Sequence, residues 1–270
     1  MHLRAVTAAT YPVSLEMKEL PIENQEAIMN KNGKTEIPGD YQFRAMNSGP
    51  QLQRFWHRNK LRVLDQVAPI TGNHVVVDVG CGSGNLTLHS AEKCKLAIGV
   101  DPSQTAVQFC NSLSSNGHSV FIPAAGDALP FPNEFADVVI LVEVIEHLDT
   151  PMKIISEISR ILKKGGLIFV TTPNYAFPSL WPPVEWLADT SRLVAKMGGG
   201  EQHVQKFSPR SLAGIFQKAG FETVRLGTFY HFSPFASMLS NRWAETLLDK
   251  EVTSGDLGGM IIYHLGQKPK

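Results

Sequence analysis

The chain has 270 residues and carries 25 basic and 25 acidic side chains. That length suits one large domain with additions, and zero net charge excludes the electrostatic footprint of a protein that binds nucleic acid non-specifically. Cys81, Cys94 and Cys110 are odd in number and form no CxxC pair, so a disulfide framework or zinc cage is not expected and a cytoplasmic location fits. No run reaches the roughly 18 apolar residues of a spanning helix. The acid-free residues before Glu16 lack a secretory core and read as a disordered leader or a weak organelle-targeting segment.

Residues 1–50 mix proline, asparagine, glycine and charge without a lasting period, which predicts a partly irregular N-terminal extension or lid. From Gln51 to Ala68, Leu52, Phe55, Trp56, Leu61, Leu64 and Val67 recur at helical spacing and Pro69 stops the run. Arg54, His57, Arg58, Lys60 and Arg62 on the same segment read as a solvated face or an attractor for an anionic head group.

Strand and helix signals then alternate. Val75–Val79, Leu96–Val100, Ser119–Ile122, Val138–Val142 and Gly166–Thr171 are apolar runs of the kind buried in a parallel sheet. Before the fifth run, Thr150 and Pro151 predict a helix start, Ile154, Ile155, Ile158, Ile161 and Leu162 its buried stripe, and Lys163, Lys164 and Gly165 its end. Ser208 and Pro209 open a later helix closed by Gly220, and residues 221–228 and 259–267 read as two final strands. The pattern predicts an α/β, doubly wound, seven-stranded and mostly parallel sheet with its ligand site at the carboxyl ends of the strands.

The strongest motif is VVVDVGCGSGN, Val75 to Asn85. Gly80, Gly82 and Gly84 permit a tight turn and close approach of a ligand to bare backbone, and Asp78 can accept from the loop or from a ligand ammonium. The spacing D-x-G-x-G-x-G departs from the dinucleotide fingerprint G-x-G-x-x-G, and an acid on the loop disfavours phosphate. Asp101 and Pro102 end the second strand where an acid accepts ribose hydroxyls, and Asp127 and Ala128 follow the third strand where they could meet an adenine edge. Glu143, Glu146 and His147 follow the fourth strand, and their spacing brings them together if the turn is helical. An imidazole's ordinary titration near neutrality makes His147 a candidate proton acceptor. His203, between a glycine run and a capped helix, is a second.

In order, DVGCGSG, GVDPS, GDALPFPNEFADVVI, VEVIEHL and LKKGGLIFVTTPN resemble the class I S-adenosylmethionine-dependent methyltransferases. VEVIEHLDTP and TTPN are most similar to the branch containing the quinone-biosynthesis O-methyltransferases. The resemblance implies S-adenosylmethionine as cofactor and contacts to it from Gly80, Asp101 and Val142. It also implies an N-terminal arginine at the cofactor, for which Arg54, Arg58 and Arg62 are the candidates. In some relatives of that branch the counterparts of Glu143, Glu146 and His147 hold a divalent cation. Alternatively, Glu143 lines the cofactor pocket while His147 packs or caps.

The expected organisation is an extension at 1–50 and a methyltransferase domain at 51–270, with a cofactor half at 74–174 and acceptor or lid regions at 175–207 and 229–257. Residues 175–243 hold 12 aromatic side chains against five in 74–174, among them Trp181, Trp186, Phe229, Tyr230, Phe232 and Phe235. That contrast points to a small core of a lid or to a pocket for a bulky small-molecule or lipid-linked acceptor, compatible with peripheral membrane contact. Methyl transfer to an oxygen is the expected activity, and two other readings stand beside it: an NAD-dependent oxidoreductase and a non-catalytic S-adenosylmethionine-binding protein.

Overall fold

The computed structural model describes residues 38–114, 117–184 and 203–270. The expectations for residues 1–37, Trp186 and the glycine run before His203 lie outside the described residues.

In chain order the elements are α1 (Tyr41–Ser48), α2 (Gln51–Val67), β1 (Val75–Val79), α3 (Asn85–Ala91), β2 (Leu96–Asp101), α4 (Gln104–Leu113), β3 (Ser119–Pro123) and β4 (Ala136–Val142). A 3-10 turn (Ile145–His147) follows, then α5 (Pro151–Ile161), β5 (Leu162–Pro173), α6 (Pro209–Lys218), β6 (Glu222–Phe229), α7 (Ser233–Ala236), α8 (Asn241–Ser254) and β7 (Ile261–Gln267). The strands form a seven-stranded sheet in the order β3-β2-β1-β4-β5-β7-β6. Strands β1 to β5 pair in parallel, and β7 runs antiparallel to both β5 and β6. The strand order reverses between β1 and β4, and a crevice opens at such a switch point beyond the carboxyl ends.

Period-two alternation divides the apolar core between the two faces. Val76, Val138 and Ile140 pack with Phe55 and Leu64 of α2. Val77, Val79, Val139 and Leu141 pack with Ile154, Ile155, Ile158 and Ile161 of α5 and with Leu212 and Phe216 of α6. Two residues beyond Val76, Asp78 is thereby delivered to the face that α2 covers.

Local expectations are corrected at several points. Helix α5 ends at Ile161, because Leu162 already pairs with Ala136 in the sheet. Lys163 salt-bridges Asp137 at 2.7 Å and Gly165 takes a left-handed φ of 75°, so the Lys-Lys-Gly segment is an irregular start to β5 rather than a helix end. Thr150 precedes Pro151 at the helix start but makes no side-chain cap bond. Ser208 does cap α6, in a reciprocal pair with Ser211. Leu52, expected on the buried stripe of α2, is exposed, and the end of the irregular extension forms α1.

Candidate active site

The glycine loop is built by strand β1 running straight into left-handed backbone. Gly80, Gly82 and Gly84 have φ of 75°, 50° and 75°, a region costly for residues with a Cβ. A Cβ on Gly80 would also collide with the Val144 side chain. The amides of Gly80 and Cys81 donate to the Val100 carbonyl, at 2.8 and 3.1 Å, which ties the loop to β2. Asp101 finishes the job: one carboxylate oxygen accepts from Gly82 N at 2.9 Å and the other from Ser103 N at 2.8 Å.

Helix α1 lies against this loop. Gln42 N donates to Ser83 Oγ at 3.1 Å, and Ser83 Oγ donates to the Gly39 carbonyl at 2.8 Å. No apolar period in residues 38–50 signals this contact.

At the switch point a cleft of about 440 Å³, its open mouth included, is lined by Asp78, Gly80, Cys81, Asn85, Val142 and Glu143 on the sheet side and by His57, Lys60 and Leu61 of α2, with Gln42 of α1. Asp78 is buried and accepts from Thr87 Oγ1 at 2.6 Å. Burial raises its carboxyl to about 7, opposed by the Thr87 bond and reinforced by the charge of Asp101. Asn85 Oδ1 is buried without a hydrogen-bond partner. The cleft therefore presents two acceptors, Asp78 and Asn85, to an incoming donor.

Glu143 sits just past β4 with φ of 56°. This non-glycine strain is of order 1–3 kcal/mol and typical of functional sites. Its Oε1 accepts from Thr171 Oγ1 at 3.1 Å, and its Oε2 pairs with Lys60 Nζ at 3.3 Å across the cleft. His57 beside it is driven down to about 3 by burial, aided by Lys60, so it is neutral. Lys60 is the cation that reaches the cleft wall. The three arginine candidates are engaged elsewhere: Arg54 on the Gly49 carbonyl and Gln51, Arg58 on the Met46 carbonyl, and Arg62 on Asp249. Lys60 and His57 were hidden in a basic run that reads equally as a solvated face.

The strand-end acids do not all converge. Asp78 lines the cleft, whereas Asp101 underpins the loop and Asp127 and Ala128 are exposed on the connection after β3, outside the lining. Pro102 is exposed as well.

A second cluster forms beside the cleft. The 3-10 turn buries Glu146, whose Oε2 accepts from Thr172 Oγ1 at 3.0 Å. Its carboxyl is raised well above the usual range by burial, with the neighbouring Glu143 charge adding to the rise. The Glu146 carbonyl accepts from Val204 N and Gln205 N at 2.8 and 2.9 Å, which docks the His203 segment here. The rings of His147 and His203 lie 5.0 Å apart, and His203 Nδ1 shares a 2.8 Å hydrogen bond with the Tyr175 hydroxyl. Trp181 lies 5.9 Å from the His203 ring and 6.0 Å from Trp56, extending an aromatic wall from α2 to the histidines. The two histidines singled out separately in the sequence thus form one cluster. Glu143 does not join it: the ligand atoms that come within 4.8 Å of one another belong to Glu146, His147 and His203. Glu143 precedes the 3-10 turn in left-handed backbone, so the helical spacing assumed for Glu143, Glu146 and His147 does not apply.

Residues 49–226 match the family model described as a methyltransferase domain. The chain belongs to the class I S-adenosylmethionine-dependent methyltransferases. Among its relatives, the ubiquinone biosynthesis O-methyltransferase of Thiobacillus denitrificans is 32% identical over 171 residues, covering 62% of this chain and 72% of the relative. The protein of the same name from Burkholderia pseudomallei is 29% identical over 176 residues, 64% of this chain and 75% of its own length. Among solved structures, a S-adenosylmethionine-dependent methyltransferase of Thermotoga maritima superposes with a TM-score of 0.60 at 22% identity, covering 80% of this chain and 91% of that one; this likeness speaks to fold alone.

The methyltransferase has a cleft that fits its cofactor on grounds of its own. The bare glycine loop allows close approach, and Asp78 and Asn85 Oδ1 suit a cationic donor. Neither dinucleotide chemistry nor a non-catalytic role gains support from the family or these relatives. Among the described residues, no helix is long and apolar enough to cross a membrane.

Proposed function

We propose that this methyltransferase methylates a hydroxyl oxygen of a small-molecule or lipid-linked acceptor. The observation that carries the reading is the His147–His203 pair beside Glu146, whose carboxyl feels the charges of Glu143 and Lys60 in the cleft, with the Trp56–Trp181 contact leading from α2 to His203. It sets imidazoles and aromatic surface beside the cofactor cleft. The names of the relatives, which are O-methyltransferases of ubiquinone biosynthesis, point the same way.

In this reading the cofactor half is residues 74–174, and acceptor specificity comes from 175–207 and 229–257. Asp78 and Asn85 accept from the cofactor's ammonium, and Gly80, Gly82 and Gly84 offer it backbone. Asp101, with lone pairs beyond those used by Gly82 and Ser103, and Pro102 border its ribose. Asp127 and Ala128 close on its adenine, and Val142 and Glu143 form the floor.

When bound, the cofactor supplies an electrophilic methyl group. The chain's own work is to hold the acceptor oxygen in line with it and exclude water, a positioning effect of roughly 7–11 kcal/mol. His147 or His203 receives the hydroxyl proton, worth about 10²–10⁴-fold in rate. Tyr175 fixes the orientation of the His203 ring through their shared hydrogen bond.

The test is a panel of phenols, catechols and polyprenylated phenols against amines of matched shape, read by mass spectrometry for added methyl groups. Turnover of the hydroxyl compounds, with wild-type cofactor affinity retained in His147→Ala and His203→Ala, is expected. Methylation confined to amines would overturn the reading.

A further inference from the structure

We propose that Cys81 and Cys110 are a redox-modification site: when cofactor is not bound, a hydroperoxide joins the two thiols in a disulfide, and the disulfide lowers affinity for the cofactor. The inference rests on the glycine cleft being the cofactor site.

Three observations converge on this pair. Cys81 belongs to the glycine loop and lines the cleft, where a small oxidant can reach it. Cys110, on the buried face of α4, lies behind the same loop. Both thiols donate to one atom, the Gly82 carbonyl oxygen, Cys110 Sγ at 3.2 Å and Cys81 Sγ at 3.9 Å. The two sulfurs are hydrogen-bond neighbours of each other and pack with Val107 and Phe121 in a small apolar cluster. Each also sits against bare glycine backbone. A Cβ added at Gly84 would come within 2.9 Å of Cys110 Sγ, and one added at Gly99 within 2.9 Å of Cys81 Sγ. Close packing of this kind limits how far the sulfurs can swing apart. Cys94 packs in the separate core on the α2 side of the sheet, away from the pair.

The step balances on one equivalent of hydroperoxide. The Cys81 thiol gives up its proton and its sulfur attacks a peroxide oxygen. The O–O bond breaks, and the departing oxygen takes that proton and leaves as water, or as an alcohol from an alkyl hydroperoxide. The Cys110 sulfur then attacks the sulfenic acid at Cys81. The S–S bond forms as the S–O bond breaks, and the expelled hydroxide leaves as water with the Cys110 proton. Two thiols lose two electrons in all, and the hydroperoxide gains them.

The surroundings set the tempo. The Cys110 hydrogen bond, burial and the charge of Asp78 all push the Cys81 thiol up, and only the thiolate attacks. Oxidation is therefore slow at neutral pH and quickens as pH rises. Bound cofactor covers Cys81 and shields it. Once formed, the disulfide takes both S–H donors from the Gly82 carbonyl and ties the loop to α4. Gly82 has a φ of 50° and its amide is held by Asp101 at 2.9 Å, so a crosslink beside it is felt along the backbone that faces the cofactor. Such coupling is reciprocal: a modification that weakens cofactor binding is itself opposed by cofactor.

The test treats the purified full chain with hydrogen peroxide, with and without saturating S-adenosylhomocysteine, and reads peptide mass spectra, free thiols and titration calorimetry. Without the nucleotide a Cys81–Cys110 crosslink is expected, with Cys94 left as a free thiol, and with the nucleotide its formation is slowed. The crosslinked chain is expected to bind S-adenosylhomocysteine more weakly by roughly 5- to 150-fold, to keep its circular dichroism, and to recover with dithiothreitol. Cys110→Ser should stop at a sulfenic acid on Cys81 that dimedone traps, and Cys94→Ser should behave as the wild type. No crosslink, a crosslink through Cys94, equal rates with and without nucleotide, or loss of the fold on oxidation overturns the proposal. Unchanged affinity in the crosslinked chain overturns it while leaving the cofactor site standing. Failure of the reduced chain to bind S-adenosylhomocysteine overturns the site reading and the proposal with it.

Discussion

The cofactor cleft and the histidine cluster are neighbours built by different means. The cleft is assembled from short stretches at the ends of adjacent strands: Asp78 to Asn85 after β1 and Val142 and Glu143 after β4. The cluster joins Glu146 and His147 to Tyr175, Trp181 and His203 across long separations, through backbone bonds to Glu146 and ring contacts. Local segments can be shaped by turn chemistry alone. Groups brought from afar depend on the whole fold to meet, and they are the part of such an enzyme free to differ with the acceptor.

The largest expected effect separates the two regions. His147→Ala and His203→Ala should each lower kcat by about 10²–10⁴-fold while calorimetry with S-adenosylhomocysteine returns unchanged affinity. Parallel loss of cofactor binding would show that the regions are one site.

Next in size is Lys60→Met, which removes the cleft-wall cation beside Glu143. It is expected to weaken cofactor affinity by about tenfold, equivalent to about 1.4 kcal/mol, and to leave acceptor KM unchanged. An acceptor KM effect alone would assign Lys60 to the other region.

A pH series sharpens the account of the cleft. The Asp78 carboxyl is about 7 in the folded chain against an ordinary 3.8. The folded state therefore holds a proton that the unfolded state has lost between these values, so the Asp78 contribution to stability falls as pH rises from about 4 to about 7. Cofactor binding, which uses the ionised form, should weaken as pH falls below about 7. Asp78→Asn should flatten both trends in thermal melts and titration calorimetry, and persistence of either slope in the variant would assign it elsewhere.

The smallest effect is a control. Arg62→Ala breaks a half-exposed pair with Asp249 and should cost no more than about 1 kcal/mol of stability, with cofactor affinity unchanged. A clear affinity loss would restore Arg62 as the cofactor arginine.

What could be read in advance follows the same division. Gly80, Gly82, Gly84 and Asp78 were legible because a buried apolar run ending in alternating glycines dictates its own turn. The seven strands were legible from apolar runs and the alternation with helices. The convergence of His147 and His203 was not, since each is a lone histidine until Val204 and Gln205 bond the Glu146 carbonyl. Lys60 was concealed because periodicity on α2 does not say which cation meets Glu143, and three arginines competed for the role. Helix α1 was not legible, because its grip on the glycine loop is made by single polar contacts from Gln42 and Gly39 rather than by an apolar stripe. Asp127 was legible as the strand-end acid after β3, and it is exposed there, outside the cleft's lining.

The central claim is that the glycine cleft at the β1–β4 switch point is the cofactor site. Titration calorimetry of the full chain and of Gly80→Ala with S-adenosylhomocysteine and with NAD tests it most directly. The account predicts saturable binding of S-adenosylhomocysteine to the wild-type chain, its loss in a folded Gly80→Ala variant in which the new Cβ meets Val144, and no binding of NAD. Equal binding of both nucleotides, or undiminished S-adenosylhomocysteine binding by the variant, would contradict it.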